Sequence, residues 1–431
     1  MALLLTVSNF NQTLAFSNVR TNNHFICLVV SALIALTGFV ASTLAQEVSI
    51  PDPGLNAAIR GELQKPNGPL TEQDLLGLTN LNACCRNIGS VEGLQAARNL
   101  IGLDVDSNSL TNFALPSALT KLETLNLFNN HLTNIGLPSG FPNLTLLDLG
   151  FNSLAQCSIP GGLTNLDTLF LEGNLLTNLT LPPGLTALTK LDLSGNGLTS
   201  FTFAADMTNL LTVLIFANQL TNLTLPANLN RLSGLVLDSN HLRSLPLPAG
   251  LTNLSRLTLF GNQLTNLALP ADMTKLDFLD VGNNQLPNFT LPAGLTRLSF
   301  LRLSGNGLTS LTLSPDVQQL TRLIVDGNPL ATLVVSEPLT AANLSGTVAI
   351  LRNQGVSVFT YPLAASLISP RLAAGAFKFT LTGPPGIYTV VASSDLATWS
   401  ELGAATNLLG SAVFTDITAH LSTRKYYRAR Q

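Results

Sequence analysis

An asparagine returns every 22 residues, eleven times without a slip: Asn108, Asn130, Asn152, Asn174, Asn196, Asn218, Asn240, Asn262, Asn284, Asn306 and Asn328. A spacing held that strictly means stacked copies of one small unit, and every other feature must fit that constraint. Counted from each Asn, positions −8, −5 and −3 are apolar, as in Leu254, Leu257 and Leu259 before Asn262. Leu210, Val213 and Ile215 are the main departure from leucine, and position +2 is leucine from Leu110 to Leu330. Apolar residues at −5 and −3 alternating with polar ones mark a short strand with one buried face. Such a strand has no partner within its own repeat. Laid parallel to its neighbours, it pairs their backbone groups and joins the leucines into one core.

The Asn follows from the same logic. Where the chain leaves the strand, backbone donors and acceptors would be buried unpaired, and a short amide bonds to them in its own and the adjacent coil. After the Asn, apolar residues stand at +5 and +7 (Leu223 and Leu225; Phe201 and Phe203), usually followed by Pro at +8, as in Pro226 and Pro248. Period two followed by Pro predicts a second extended stretch and a tight bend, so a thin solenoid with few helices on its outer side.

The pattern LxxLxLxxNxL over residues 78 to 338 resembles that of the leucine-rich repeat family. The resemblance implies a repeat solenoid, a β-rich curved coil with a parallel concave sheet and a 22-residue period.

At 431 residues, 46% hydrophobic and 10% charged, the chain suits a solenoid with caps. A formal net charge of −3, with no run of Lys or Arg, argues against nucleic acid as a partner. Residues 1–45 end in FICLVVSALIALTGFVASTLA, which reads as a secretory signal cut after Ala45 or as an uncleaved anchor. Both place the repeats outside the cytoplasm, secreted or at the cell surface, and that segment is the one contact with a membrane. Of the cysteines, Cys157 takes an apolar +5 position, and the neighbours Cys84 and Cys85 read as small buried hydrophobes.

Residues 46–98 form a helical N-terminal cap with a degenerate first repeat: a helix near Leu55 to Leu63, a second begun by Thr71, then Leu78, Leu81, Ala83 and Ile88 on the repeat columns. This cap resembles those of secreted bacterial leucine-rich repeat proteins, the internalin-like group among them. The repeats proper are 99–338. Residues 339–366 hold a helix ended by Gly355 and a closing strand, VSVFTYP. Residues 367–431 carry strand-like runs without the 22-residue step (FKFTLTG, GIYTVVASS, SAVFTDI, KYYRARQ) and predict a small all-β, sandwich-like module that resembles fibronectin type III.

Side chains at −6, −4 and −2 leave the core and line the concave face. Asp104, Asp106, Asp148, Glu172 and Asp192 make its early part acidic. Arg256, Arg302 and Arg322 with Phe260, Phe278 and Phe300 mark the later part, and Phe128, Phe170 and Phe216 add apolar points. Aromatic groups beside guanidinium are what binding hot spots favour, so these nine residues are the candidate partner-binding set. The acids, without a glycine-rich ligand loop, read as a solvated stripe and not as a metal site. His131 and His241 stand five coils apart, and no catalytic fingerprint occurs, so no catalytic residue, cofactor or metal is expected. Sequons such as Asn143-Leu-Thr145 and Asn253-Leu-Ser255 are by-products of the repeated TNL. The function these features point to is an extracellular binding scaffold for a protein or glycan. The alternative is a structural or adhesive surface component attached through the C-terminal β module.

Overall fold

The computed structural model describes residues 46–373, 375–421 and 424–431. Segment 25–45 and the cut after Ala45 lie outside them. Among the described residues no helix is long and apolar enough to cross a membrane. Val48–Gln431 forms one compact unit that holds the repeats, their flanking helices and the C-terminal strands.

Twelve parallel three-residue strands, from Asn80–Asn82 to Arg322–Ile324, form one sheet. Each residue lies opposite the one 22 positions away, as Phe278 does between Arg256 and Phe300. The register is set by what is buried: Leu257, Leu279 and Leu301 at strand centres, and Leu259, Val281 and Leu303 two residues on, are all inaccessible. A slip of one residue would turn that column to water at about 2 kcal/mol per leucine.

The asparagines bond backward, to the preceding coil. Asn240 Nδ2 donates to the carbonyls of Ile215 (2.8 Å), Leu237 (3.1 Å) and Asp238 (3.3 Å), while its Oδ1 accepts the Leu220 N–H at 3.0 Å. Asn130, Asn284 and Asn306 repeat that pattern with their own neighbours. Arg86 occupies the corresponding place in the first coil, and there its N–H is taken by Asn108 Oδ1 at 3.0 Å.

The residue before each Asn is left-handed, with φ from 50° at Phe151 to 69° at Gly261. Glycine fills five of these places, and Ser, Asn, Phe and Ala fill the others at a steric cost that glycine avoids. Ala217 is exposed with φ 53°, so Ala217→Gly is expected to raise stability by about 0.5–1 kcal/mol, relief of strain exceeding the entropy lost. Urea unfolding of both proteins checks the sign.

Behind the sheet each coil runs extended, and among the described residues from 99 to 336 no helix forms. Leu223 and Leu225 are buried, and the rings of Phe201 and Phe203 meet edge to face at 4.9 Å. Only the last coils pair regularly on this side, through the parallel strands Ser310–Thr312, Thr332–Ser336 and Ser357–Tyr361.

Helices close the N-terminal end. Helix α1 (Pro53–Glu62) starts before Leu55 because Asp52 caps it, accepting the Leu55 N–H at 2.9 Å. The second Asp52 oxygen takes the Gly89 N–H at 2.8 Å and ties the cap to the first coil. Helix α2 (Glu72–Leu76) is held by a capping box between Thr71 and Asp74. At the other end the single helix expected up to Gly355 is two: α3 (Glu337–Ala342), capped by Ser336, and α4 (Ser345–Asn353). The break between them sinks Leu344 completely, beside Leu339 and Val348, against the last coil. Tyr361 is also fully buried, its hydroxyl donating to the Leu313 carbonyl at 2.7 Å.

The C-terminal module is all-β, in two three-stranded antiparallel sheets around Phe379, Leu381, Tyr388 and Val390. Sequence alone misses two of its strands. Ser366–Ala373 contains Pro370, which falls at the register shift between Ile368 and Arg371, and Ser400–Asn407 has no aromatic or branched aliphatic residue except Leu402 to mark it. Asp416 is nearly inaccessible and pairs with Lys425 at 2.7 Å and with the Tyr427 hydroxyl at 2.9 Å.

Candidate functional site

Strict register carries side chains 22 apart onto one row. On four consecutive strands the −6 row reads Arg256, Phe278, Phe300, Arg322. The two rings stack at 4.1 Å with 5° between their planes, Arg256 lies 4.0 Å from the Phe278 centroid, and Arg322 lies 5.6 Å from that of Phe300. Strand spacing near 4.8 Å is close to a stacking distance, so like neighbours fall into contact without further design. Both terminal arginines are exposed, and neither joins an ion pair among the described residues.

Arg302 is different. Its guanidinium lies 4.5 Å from the Phe260 ring and 3.7 Å from Asp280, and its Nε donates to Ser304 Oγ at 2.8 Å. Gly282 makes this reach available, since a Cβ there would sit 3.1 Å from Phe260 and 3.2 Å from Arg302 Nε. Arg302 is thus spent within the face, while Arg256 and Arg322 are not.

The remaining candidates stand apart. Phe128 meets Phe151 at 5.2 Å, whereas Phe170 and Phe216 join no ring pair among the described residues. Phe151 is 54% exposed and was missed because position −1 reads as a turn, yet its left-handed backbone turns the ring outward. A second set of asparagines was missed too: Asn143, Asn165 and Asn209 donate to carbonyls of the preceding coil from the opposite corner of the turn. Their recurrence nine positions before five of the ladder asparagines, as Asn99, Asn143, Asn165, Asn209 and Asn253, was the available signal.

The acidic stripe is not simply solvated. Asp104, Asp148, Asp192 and Asp280 at −4 each accept the N–H two residues on, at 2.9–3.1 Å, closing the turn that ends the strand. Burial raises the carboxyls of Asp148, Asp192 and Asp280 above the usual range. Glu172 goes further, lifted to about 7 by burial and then by the charges of Asp192 and Asp148. Its carboxylate lies over Gly150, and its inaccessible Oε2 has no hydrogen-bond partner.

The acids considered for a cation, Asp104, Asp106 and Asp148, do not converge. Among the described residues the one group with metal-ligand spacing is Cys84, Cys85 and Asp106. Those cysteines are joined as a disulfide, one half-buried and one exposed, which corrects their assignment as buried hydrophobes. The backbone carries them out of the core, Cys85 taking the left-handed position at φ 61°. Cys157 is half-buried against the core, and burial pushes its thiol up to about 12.

Two family models match the chain, leucine-rich repeats (two copies) over residues 120–163 and the BspA-type leucine-rich repeat region (six copies) over 213–331. Internalin H of Listeria monocytogenes is 32% identical over 108 residues, 21% of this chain. The chain spans only 20% of that relative's length. Among solved structures, an internalin F from Listeria monocytogenes superposes with a TM-score of 0.55 at 23% identity, covering 74% of this chain and 98% of that one, a likeness of fold. An internalin C2 from the same species is 30% identical, with 50% of this chain and 94% of that one covered and a TM-score of 0.41. With its 22-residue coils, parallel sheet and bracing asparagines, the chain folds as a leucine-rich repeat solenoid similar to those of the internalins and is closed by an all-β module.

Proposed function

We propose that this protein is a non-catalytic binding scaffold, secreted or at the cell surface, that holds a partner on the concave face around Phe278 and Phe300. The observation that carries this is the −6 row itself: two stacked rings bracketed by two exposed guanidinium groups on a rigid sheet. Aromatic and arginine side chains fixed in advance lose little entropy on binding. The test is affinity capture from the protein's own environment. Phe278→Asp combined with Phe300→Asp is expected to weaken the captured interaction more than about tenfold, with circular dichroism unchanged. Capture at full strength by that variant would place the site elsewhere.

A second reading, attachment through residues 367–431, is favoured by apolar side chains left exposed on the module: Leu372 (70%), Val413 (67%) and Ile417 (72%). A chain lacking those residues should then be found in the medium instead of on cells.

A further inference from the structure

We infer that the Arg256–Phe278–Phe300–Arg322 row recognises an extended acidic peptide running across the strands, with carboxylates on its first and fifth residues and an apolar side chain on the third. This rests on the concave-face function proposed above and names the partner's chemistry. The two free guanidinium groups are three strand spacings apart, about 14 Å. An extended peptide advances about 3.3 Å per residue and puts alternate side chains on one face, so its first and fifth residues span about 13 Å and point the same way as the third. The third side chain then falls over the Phe278–Phe300 pair, whose ring edges lie between the two cations.

Stacking on a ring occupies the face of a guanidinium and leaves the N–H groups around its rim, the geometry that takes a carboxylate through two parallel hydrogen bonds. Neither arginine is in direct ion-pair contact with an acid among the described residues, unlike Arg302 with Asp280, although Asp238 is near enough to Arg256 to feel its charge. The surrounding charges narrow the choice further. Asp280 and Asp326 stand on the adjacent rows of the same coils and Asp238 on the coil before Arg256, so a uniformly charged polyanion would meet repulsion between its points of attraction. A partner with discrete, separated carboxylates avoids it.

The test is fluorescence anisotropy of a labelled peptide, Gly-Ser-Glu-Ser-Phe-Ser-Glu-Ser-Gly, titrated with the full 431-residue chain. Binding is expected to weaken about tenfold for Arg256→Ala and again for Arg322→Ala, and to fall with added salt. Moving the second Glu one residue inward, onto the other face of the peptide, should cost a similar factor. Both arginines are exposed, so the variants keep the fold, and Arg256→Lys should recover only part of the loss because an ammonium cannot bond in the planar, two-point manner. Equal binding of both peptides, no binding of either, or equal arginine-dependent binding of a sulfated polysaccharide would overturn the inference. If the peptides fail while the double phenylalanine variant still loses its captured partner, the scaffold function stands and only the peptide chemistry is wrong. If neither shows an effect, both fall.

Discussion

Asn240→Ala is expected to destabilise its region of the solenoid by about 3 kcal/mol, one of the largest effects of any single substitution here. The side chain is 3% exposed, and its loss strands the buried Leu220 N–H of the preceding coil, while the carbonyls of Ile215 and Leu237 each lose one of two amide donors and keep the other, from Asn218 and Asn262. That N–H is buried, so leaving it unpaired costs about 1–3 kcal/mol, the bonds lost to the two carbonyls add to this, and alanine supplies nothing in return. Because repeats interact mainly with their neighbours, the damage should be local and global unfolding need not be two-state. Hydrogen exchange is therefore the proper measurement: the Leu220 amide and those of the adjoining coils should lose protection while the C-terminal module keeps its own. Asn165→Ala serves as the comparison. That amide bonds at 2.8 Å to Pro142 but stands exposed, where water replaces it, and its loss should cost below about 1 kcal/mol. Equal effects from both would refute burial as the source of the ladder's importance.

The second large effect is an inverted dependence on pH. Glu172 titrates near 7 in the folded chain against 4.5 as the ordinary value, so between those limits the folded state holds a proton that the unfolded state does not. Stability tied to Glu172 accordingly rises as pH falls from 8 towards 5. Its charged form costs about 2 kcal/mol at pH 8, after allowance for the solvent that reaches a half-buried carboxyl. Asp148 and Asp192, raised chiefly by burial, act in the same direction. Asp74 is held down to about 2 by Lys65 and Thr71, and Asp416, in spite of its burial, to about 2 by Lys425 and Thr418. Both therefore contribute stability that is lost only in stronger acid. Urea midpoints from pH 5 to 8 should show the wild type weakening with rising pH and Glu172→Gln much flatter and more stable at pH 8. A wild type that strengthens over that range would contradict the assignment.

The fold was legible because repetition turns one weak local signal into eleven coincident ones. Leucine columns, the bracing amides and the Pro-limited back of each coil all follow from the need of a short strand to find a partner. The all-β character of the C-terminal module was legible from alternation and aromatic content, but not its strand set. Pro370 and the bland Ser400–Asn407 run carry little propensity for the strands they form, and pairing with neighbours makes them strands. The helix break at Leu344 was hidden for a related reason, since nothing local separates Ala342 from Ser345 until Leu344 has a core to enter.

At the concave face the division is similar. Period two told which side chains leave the core, and hence that Phe278, Phe300, Arg256 and Arg322 share a surface. It could not tell that the rings stack between those arginines while Arg302 is drawn away over Gly282 towards Phe260, or that Phe151 faces outward from a left-handed turn. Nor could it distinguish a solvated aspartate from one whose oxygen closes the end of its own strand. The sequence by itself determined the number of coils, their direction and which face is buried, because these depend on periodicity and on pairing between identical units. Only the tertiary structure decided which charges are spent and which remain free, because that depends on distances between side chains 22 or 44 residues apart, which exist only once the coils are stacked.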